Sequence, residues 1–274
     1  MSPPPGRHGP RSGPSGSREG AHRPGTLLLV PCPLDTGTPT PVDLHHALPL
    51  EVMQAAARLA HWVVENAKTA RALLKRIDAV APLGCALQSI SIIELPRPLK
   101  GGRDSAAAPD LRPLLQPLRD GHDLGLLSEA GLPAVADPGA VLVAAAHEAG
   151  LAVRPLAGAS ALTLALAASG LNGQSFAFVG YLPVEGPARA ARLRELEARS
   201  RHERQTQLLI ETPYRNAALF DALLAQLEPA TQMAISIGLT LPGGWSRTRS
   251  IGRWRSERVR LPDDVPAVFA LLAA

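Results

Sequence analysis

Three glutamates sit directly behind short apolar runs: Glu65 after Trp62-Val63-Val64, Glu129 one residue beyond Leu126-Leu127, and Glu211 after Leu208-Leu209-Ile210. If these runs are strands of an open α/β sheet, their carboxyl ends form the edge where ligands bind, and a carboxylate there faces a cleft. In that position it acts as a hydrogen-bond acceptor or a general base; the plainer role of each is a helix cap or a solvated loop charge. A second stretch with chemical potential is Ser128-Glu-Ala-Gly-Leu-Pro-Ala-Val-Ala-Asp-Pro-Gly139, which leaves the run ending at Leu127. Its small residues let backbone amides and carbonyls approach a ligand closely. Within it, Asp137 and Pro138 read as the N-cap and first residue of a helix that Gly150 stops.

Several other chemistries are disfavoured. The chain has no G-x-x-x-x-G-K-[ST] and no G-x-G-x-x-G after its first apolar run, which argues against a P-loop enzyme and a dinucleotide-dependent dehydrogenase. Gly158-Ala-Ser-Ala-Leu162 lacks the second glycine of a hydrolase nucleophile elbow. Two cysteines, Cys32 and Cys85, make no disulfide framework, and the histidines never fall at metal-ligand spacing, so no metal is expected. Aromatic residues are only 3%, too few for a platform that stacks single-stranded bases.

The elements that must position these residues follow from periodicity. In a chain of 274 residues with 46% hydrophobic content, short apolar runs alternate with helix-length amphipathic segments from Thr26 onward, the mark of βαβ units. Strands are expected at Thr26–Val30, Trp62–Val64, Ser89–Glu94, Leu124–Leu127 and Ala152–Leu156, with helices near 48–60 and 67–77. The turn cluster Leu171-Asn-Gly-Gln-Ser175 separates a second half, with strands at Phe176–Val179, Gln207–Ile210, Gln232–Ile237 and Val268–Leu272 and helices near 188–199 and 216–227. The expected organisation is a disordered tail over 1–25, an N-terminal α/β domain over 26–170 and a C-terminal α/β domain over 171–274, with a ligand cleft between the two. The tail carries +3 of the formal +4, so total charge says little about the folded part. Two local runs are more telling: Arg189 to Arg204 holds six Arg against three Glu, and Arg247 to Arg260 holds six against Glu257. Such runs are either solvated faces or the rim of a groove that holds phosphates. The nearly apolar stretch from Ala157 to Leu171 is too short to span a membrane, and a soluble cytoplasmic protein is expected.

Several motifs in a fixed order carry a resemblance: Ser128–Gly139, Pro155-Leu-Ala-Gly-Ala-Ser-Ala161, Ala168-Ser-Gly-Leu171, Gly180-Tyr-Leu-Pro183 and Glu211-Thr-Pro-Tyr-Arg215. Together they resemble the tetrapyrrole methylase superfamily of S-adenosylmethionine-dependent methyltransferases, in its branch acting on ribosomal RNA. The resemblance implies two α/β domains of the tetrapyrrole methylase type, a homodimer, and S-adenosylmethionine bound in the cleft between the domains. By position it assigns Ser128, Glu129, Ala130, Gly131, Val135, Gly158, Ala159, Ser160 and Ala161 to the cofactor's site, with Gly180, Tyr181 and Glu211 closing over it from the second domain. The chain departs from the family's usual pattern at Glu129, where Asp is common, and at Ala157 and Ala159, where proline is common. The implied substrate is RNA, with a ribose hydroxyl as one acceptor, and Glu65 and Glu129 are the candidates to take or steer its proton. Methylation of a tetrapyrrole or another small molecule, and binding of S-adenosylmethionine without turnover, stand as the alternatives.

Overall fold

The computed structural model describes residues 23–35, 41–96, 109–257 and 259–274. The expected tail, apart from residues 23–25, lies outside them. The elements in chain order are β1 (Thr26–Leu29), α1 (Leu44–Ala47), α2 (Leu50–Ala57), β2 (His61–Val64), α3 (Ala67–Asp78), β3 (Ser91–Glu94), α4 (Gln116–Arg119), β4 (Leu124–Leu127), α5 (Ala140–Glu148), β5 (Ala152–Pro155) and α6 (Ala161–Ser169). They continue as β6 (Phe176–Gly180), α7 (Gly186–Glu203), β7 (Thr206–Glu211), α8 (Asn216–Gln226), β8 (Gln232–Ile237), β9 (Trp245–Ser250), α9 (Ile251–Ser256) and β10 (Ala267–Leu272).

The first five strands form a parallel sheet in the order β3-β2-β4-β1-β5. Central strands of such a sheet are buried on both faces, which is why β4 is apolar without alternation and buried at every residue. Helices α2 and α3 pack on one face, against Leu28, Trp62 and Val64, whereas α5 covers the other, against Leu27, Val63 and Leu126. The neighbouring strands β1 and β4 therefore send their following connections to opposite faces. That divergence opens a crevice at their carboxyl ends, the usual ligand position in open α/β sheets. One glycine is required by packing: Trp62 lies directly opposite Gly125 across β2 and β4, and a Cβ on Gly125 would sit 2.5 Å from the indole.

The second sheet has the order β6-β7-β10-β8-β9, with only the β6–β7 pair parallel. One face carries α7, α8 and α9 through Leu193, Phe220 and Trp254, whose indole N–H donates to the Met233 carbonyl at 2.9 Å. The other face receives α6, where Leu166 packs on Leu208, Ala234 and Ala270. Thus α6, inside the 26–170 stretch, rests on the second sheet, and Thr248 Oγ1 donates to the Ser169 carbonyl at 2.6 Å to hold its end there.

One local expectation changes. The helix after the small-residue loop begins at Ala140, not at Pro138, because Asp137 Oδ1 accepts from the amides of Ala134 (3.0 Å) and Gly139 (2.7 Å) and so folds the loop instead of capping a helix. Gly150, with φ +67°, does end α5. The segment from Trp245 is a strand followed by a short helix, α9, which buries only Ile251 and Trp254, too few apolar positions to announce a helix. Among the described residues, no helix is long and apolar enough to cross a membrane.

Gly125→Ala should overpack the site opposite Trp62 and destabilise the protein by about 1–3 kcal/mol. Urea unfolding of wild type and variant checks this, and an unchanged midpoint would show that the indole has room to move.

Candidate functional site

The site lies where the carboxyl end of the first sheet meets the second sheet. Two loops build its floor. The loop after β1 is tied to the loop after β4 by reciprocal backbone bonds, Cys32 N–H to Gly131 O and Gly131 N–H to Cys32 O, each 2.9 Å. Gly131 has φ +70°, a backbone state that glycine adopts freely, and a Cβ there would press on Leu34 Cδ2 at 3.2 Å. The first loop is anchored behind by Asp35: Arg76 Nη2 donates to its carboxylate at 2.9 Å and to the Val42 carbonyl at 2.6 Å, and the Val42 amide donates to Asp35 at 2.9 Å. Gly158 is required for a similar reason, since its Cβ would fall 2.2 Å from Pro31.

These loops enclose a cavity of about 290 Å³. Of the expected residues, Glu65, Ala130, Gly131, Val135, Ser160, Ala161, Tyr181 and Glu211 line it. Ser128, Glu129, Gly158, Ala159 and Gly180 do not line it. Ser128 is buried, its hydroxyl donating to the Ala130 carbonyl at 3.1 Å, and the Glu129 amide donates to Glu65 Oε2 at 3.0 Å. The Glu129 side chain turns toward α3, where it accepts from Thr69 Oγ1 at 3.4 Å. Ala159 offers its carbonyl toward Gly131, and Gly180, with φ +74°, ends β6 just before Tyr181.

The three strand-end glutamates therefore differ in role. Glu65 faces the cavity and Glu129 supports it through the backbone. Glu211 also borders the cavity but is buried, paired with Arg215 at 3.0 Å in a charge contact out of line for a hydrogen bond, and it accepts from the Thr212 amide at 2.8 Å. Burial first, then the negative fields of Glu211 and Glu65, raise the pKa of Tyr181, so its phenol stays protonated and can donate. Asp137 also borders the cavity, and burial raises its carboxyl pKa despite the amides that donate to it.

The second sheet contributes more than the motifs indicated. Gly238–Leu241 after β8 and Asp264–Val268 leading into β10 complete the wall. Neither has a spacing pattern of its own; the only sequence cue was that both adjoin apolar strands. Two buried polar atoms bordering the cavity have no hydrogen-bond partner, Asp137 Oδ2 and Thr240 Oγ1. Among the described residues, no group of three or more His, Cys, Asp or Glu is placed to hold a metal.

No protein-family model matches the chain. It is 40% identical over 145 residues to "Ribosomal RNA small subunit methyltransferase I" of Mycobacterium tuberculosis (strain ATCC 25618 / H37Rv), covering 51% of this chain and 50% of that protein. The protein of the same name from Micromonospora olivasterospora is 46% identical over 116 residues, 42% of this chain and 36% of its own. The chain resembles these ribosomal RNA methyltransferases. It spans about half the length, or less, of the curated relatives it matches. Among solved structures, a conserved hypothetical protein from Aeropyrum pernix K1 superimposes with a TM-score of 0.53 at 20% identity, over 91% of this chain and 85% of that one, a likeness of fold alone.

Cys32 lies under this floor. Burial, reinforced by Asp35, pushes its thiol up to about 12. It should stay inert to a thiol reagent at about pH 8 in the native protein, while the half-buried Cys85 reacts. Counting thiols before and after denaturation checks this; equal native reactivity of both would contradict the burial of the floor.

Proposed function

We propose that the protein is an S-adenosylmethionine-dependent methyltransferase acting on ribosomal RNA. The observation that carries this reading is the cavity itself, in which a floor of small residues meets Glu65 on one side and Tyr181 and Glu211 on the other. The match to methyltransferases of the small-subunit ribosomal RNA supports the substrate class.

The residues fit a nucleoside-bearing methyl donor in three respects. Gly131 keeps side chains off the floor, Leu34, Leu132 and Leu241 give apolar walls, and Asp137 Oδ2 and Thr240 Oγ1 are polar atoms still lacking partners. In this reading Gly131, Ser160 and Ala161 hold the donor from below, with Tyr181 and Glu211 across from them. Bound there, S-adenosylmethionine supplies a methyl group already activated on a sulfonium. What remains for the chain is to align the acceptor, exclude water and remove a proton. Glu65 is the residue we assign to steer the acceptor's proton when that acceptor is a ribose hydroxyl, because it faces the cavity while Glu129 is turned to Thr69. The Glu129 amide, donating to Glu65 Oε2, orients that carboxylate.

For RNA the rim matters. Strand β9 starts beside the cavity, with Trp245 opposite Ile237, and Arg247 lies over the Trp245 ring at 5.4 Å. Arg247, Arg249 and Arg253 converge on the single carboxylate of Glu257, at 3.7, 3.3 and 3.5 Å, so the cluster keeps excess positive charge. Arg255 is different, since its guanidinium donates to the carbonyls of Leu224 and Leu227 at the end of α8. The proposal also includes a homodimer in the cytoplasm, where ribosomal RNA is found; exposed Phe176 and Phe178 on the edge strand β6 offer apolar surface to a second copy.

Transfer of labelled methyl from S-adenosylmethionine to unmodified small-subunit ribosomal RNA tests the reading, with a tetrapyrrole panel alongside. Glu65→Gln should lower kcat by about 100-fold or more while donor affinity stays unchanged. Labelling of the tetrapyrrole alone would move the acceptor to a small molecule. In a salt series, Arg247→Ala with Arg253→Ala should weaken RNA binding and flatten its salt dependence, since fewer counterions are displaced. Superimposable slopes would remove this rim from the RNA path.

A further inference from the structure

A second cavity, of about 750 Å³, opens at the opposite end of the first sheet from the proposed active site. It lies at the amino ends of β1, β2 and β4 and runs between α2 and the exposed face of the edge strand β5 as far as Leu156 and Ala157, past the carboxyl end of that strand. Six charged or titratable side chains face it: Glu51 and Arg58 from α2 and its C-cap, His61 at the start of β2, His122 and Asp123 before β4, and Arg154 in β5.

Their pairing is unequal. The carboxylate of Asp123 is engaged by the chain itself, accepting from the Thr26 amide at 2.7 Å. Arg58 and Arg154, both exposed, have no ion pair and no side-chain hydrogen bond among the described residues. Elsewhere buried or half-buried arginines such as Arg76 and Arg215 are matched by carboxylates. The His61 and His122 rings stand against each other, centroids 5.2 Å apart, and among the described residues neither has an acceptor for its N–H. The groove thus presents two forked guanidinium donors and two imidazole donors beside two carboxylates, Glu51 and Asp123, the second still charged while one of its oxygens accepts the Thr26 amide.

Donors of this kind lining one groove match a tetrahedral oxyanion, since guanidinium forks bind phosphate in bidentate fashion and imidazole N–H groups supply further bonds. We propose that this groove is a phosphate-binding site, in which Arg58, His61, His122 and Arg154 hold a phosphate group of RNA or of a free phosphorylated compound. The site stands apart from the methyl-transfer cavity and does not depend on the reading given to it.

Pyrophosphate is the probe. Titrated into the full chain, it should give saturable shifts of the His61 and His122 ring signals in NMR spectra, assigned through His61→Gln and His122→Gln. Arg58→Gln with Arg154→Gln should weaken that binding by about tenfold or more, the loss expected for charge-assisted bonds. A melting temperature equal to wild type would confirm that the exposed pair is not structural. Displacement of pyrophosphate by a short RNA assigns the site to an RNA backbone; failure of RNA to compete assigns it to a free phosphorylated compound. Histidine signals that stay in place up to about 10 mM pyrophosphate, the weak end of specific affinity, overturn the proposal. So does undiminished affinity in the folded double variant.

Discussion

The reciprocal backbone bonds between Cys32 and Gly131 are the constraint on which the site depends. They join loops that leave neighbouring strands toward opposite faces of the sheet and so hold the two sides of the crevice in register. The bridge works only because Gly131 takes a left-handed backbone and carries no Cβ to displace Leu34. Asp35 and Arg76 brace the first loop from behind, and Asp137 braces the second through two amides. Backbone bonds and two loop carboxylates shape the floor, so its own residues, Gly131, Ser160 and Ala161, can stay small.

The same economy appears between the sheets. Helix α6 starts at the cavity, with Ser160 and Ala161 in its lining, and then lies on the second sheet. It therefore couples the position of the floor to the wall formed by Tyr181, Glu211 and Gly238–Leu241. A displacement of the second sheet would move α6 and the cavity together, which suits a site whose ligand contacts come from both sides.

Much of this was legible in the sequence. The buried parallel strands announced themselves as unbroken apolar runs, and the position of Glu65 followed from the rule that such a sheet presents ligands at its carboxyl ends. That rule could not rank the glutamates. Glu129 is turned aside by Thr69 on α3 and Glu211 is held by Arg215, and both are tertiary contacts or local geometry with no periodic trace. Asp137 read as a helix cap because Asp-Pro is a strong cap signal, yet two loop amides claim its oxygen first. The insertion of β10 between β7 and β8 brings Asp264–Val268 to the cavity from the end of the chain, a topological fact invisible to local pattern. Arg255 shows the same limit, since its neighbours in sequence suggest a basic rim and its real partners are carbonyls of α8.

The glycine-based bridge is proposed to form the floor of a binding site for S-adenosylmethionine. Titration calorimetry of the cofactor into wild type and Gly131→Val, with unfolding midpoints measured in parallel, tests it most directly. Strain at a positive φ and the lost space predict that wild type binds and that the folded variant binds at least about tenfold more weakly. Equal affinity in a folded Gly131→Val protein, or no binding by wild type, would contradict the account.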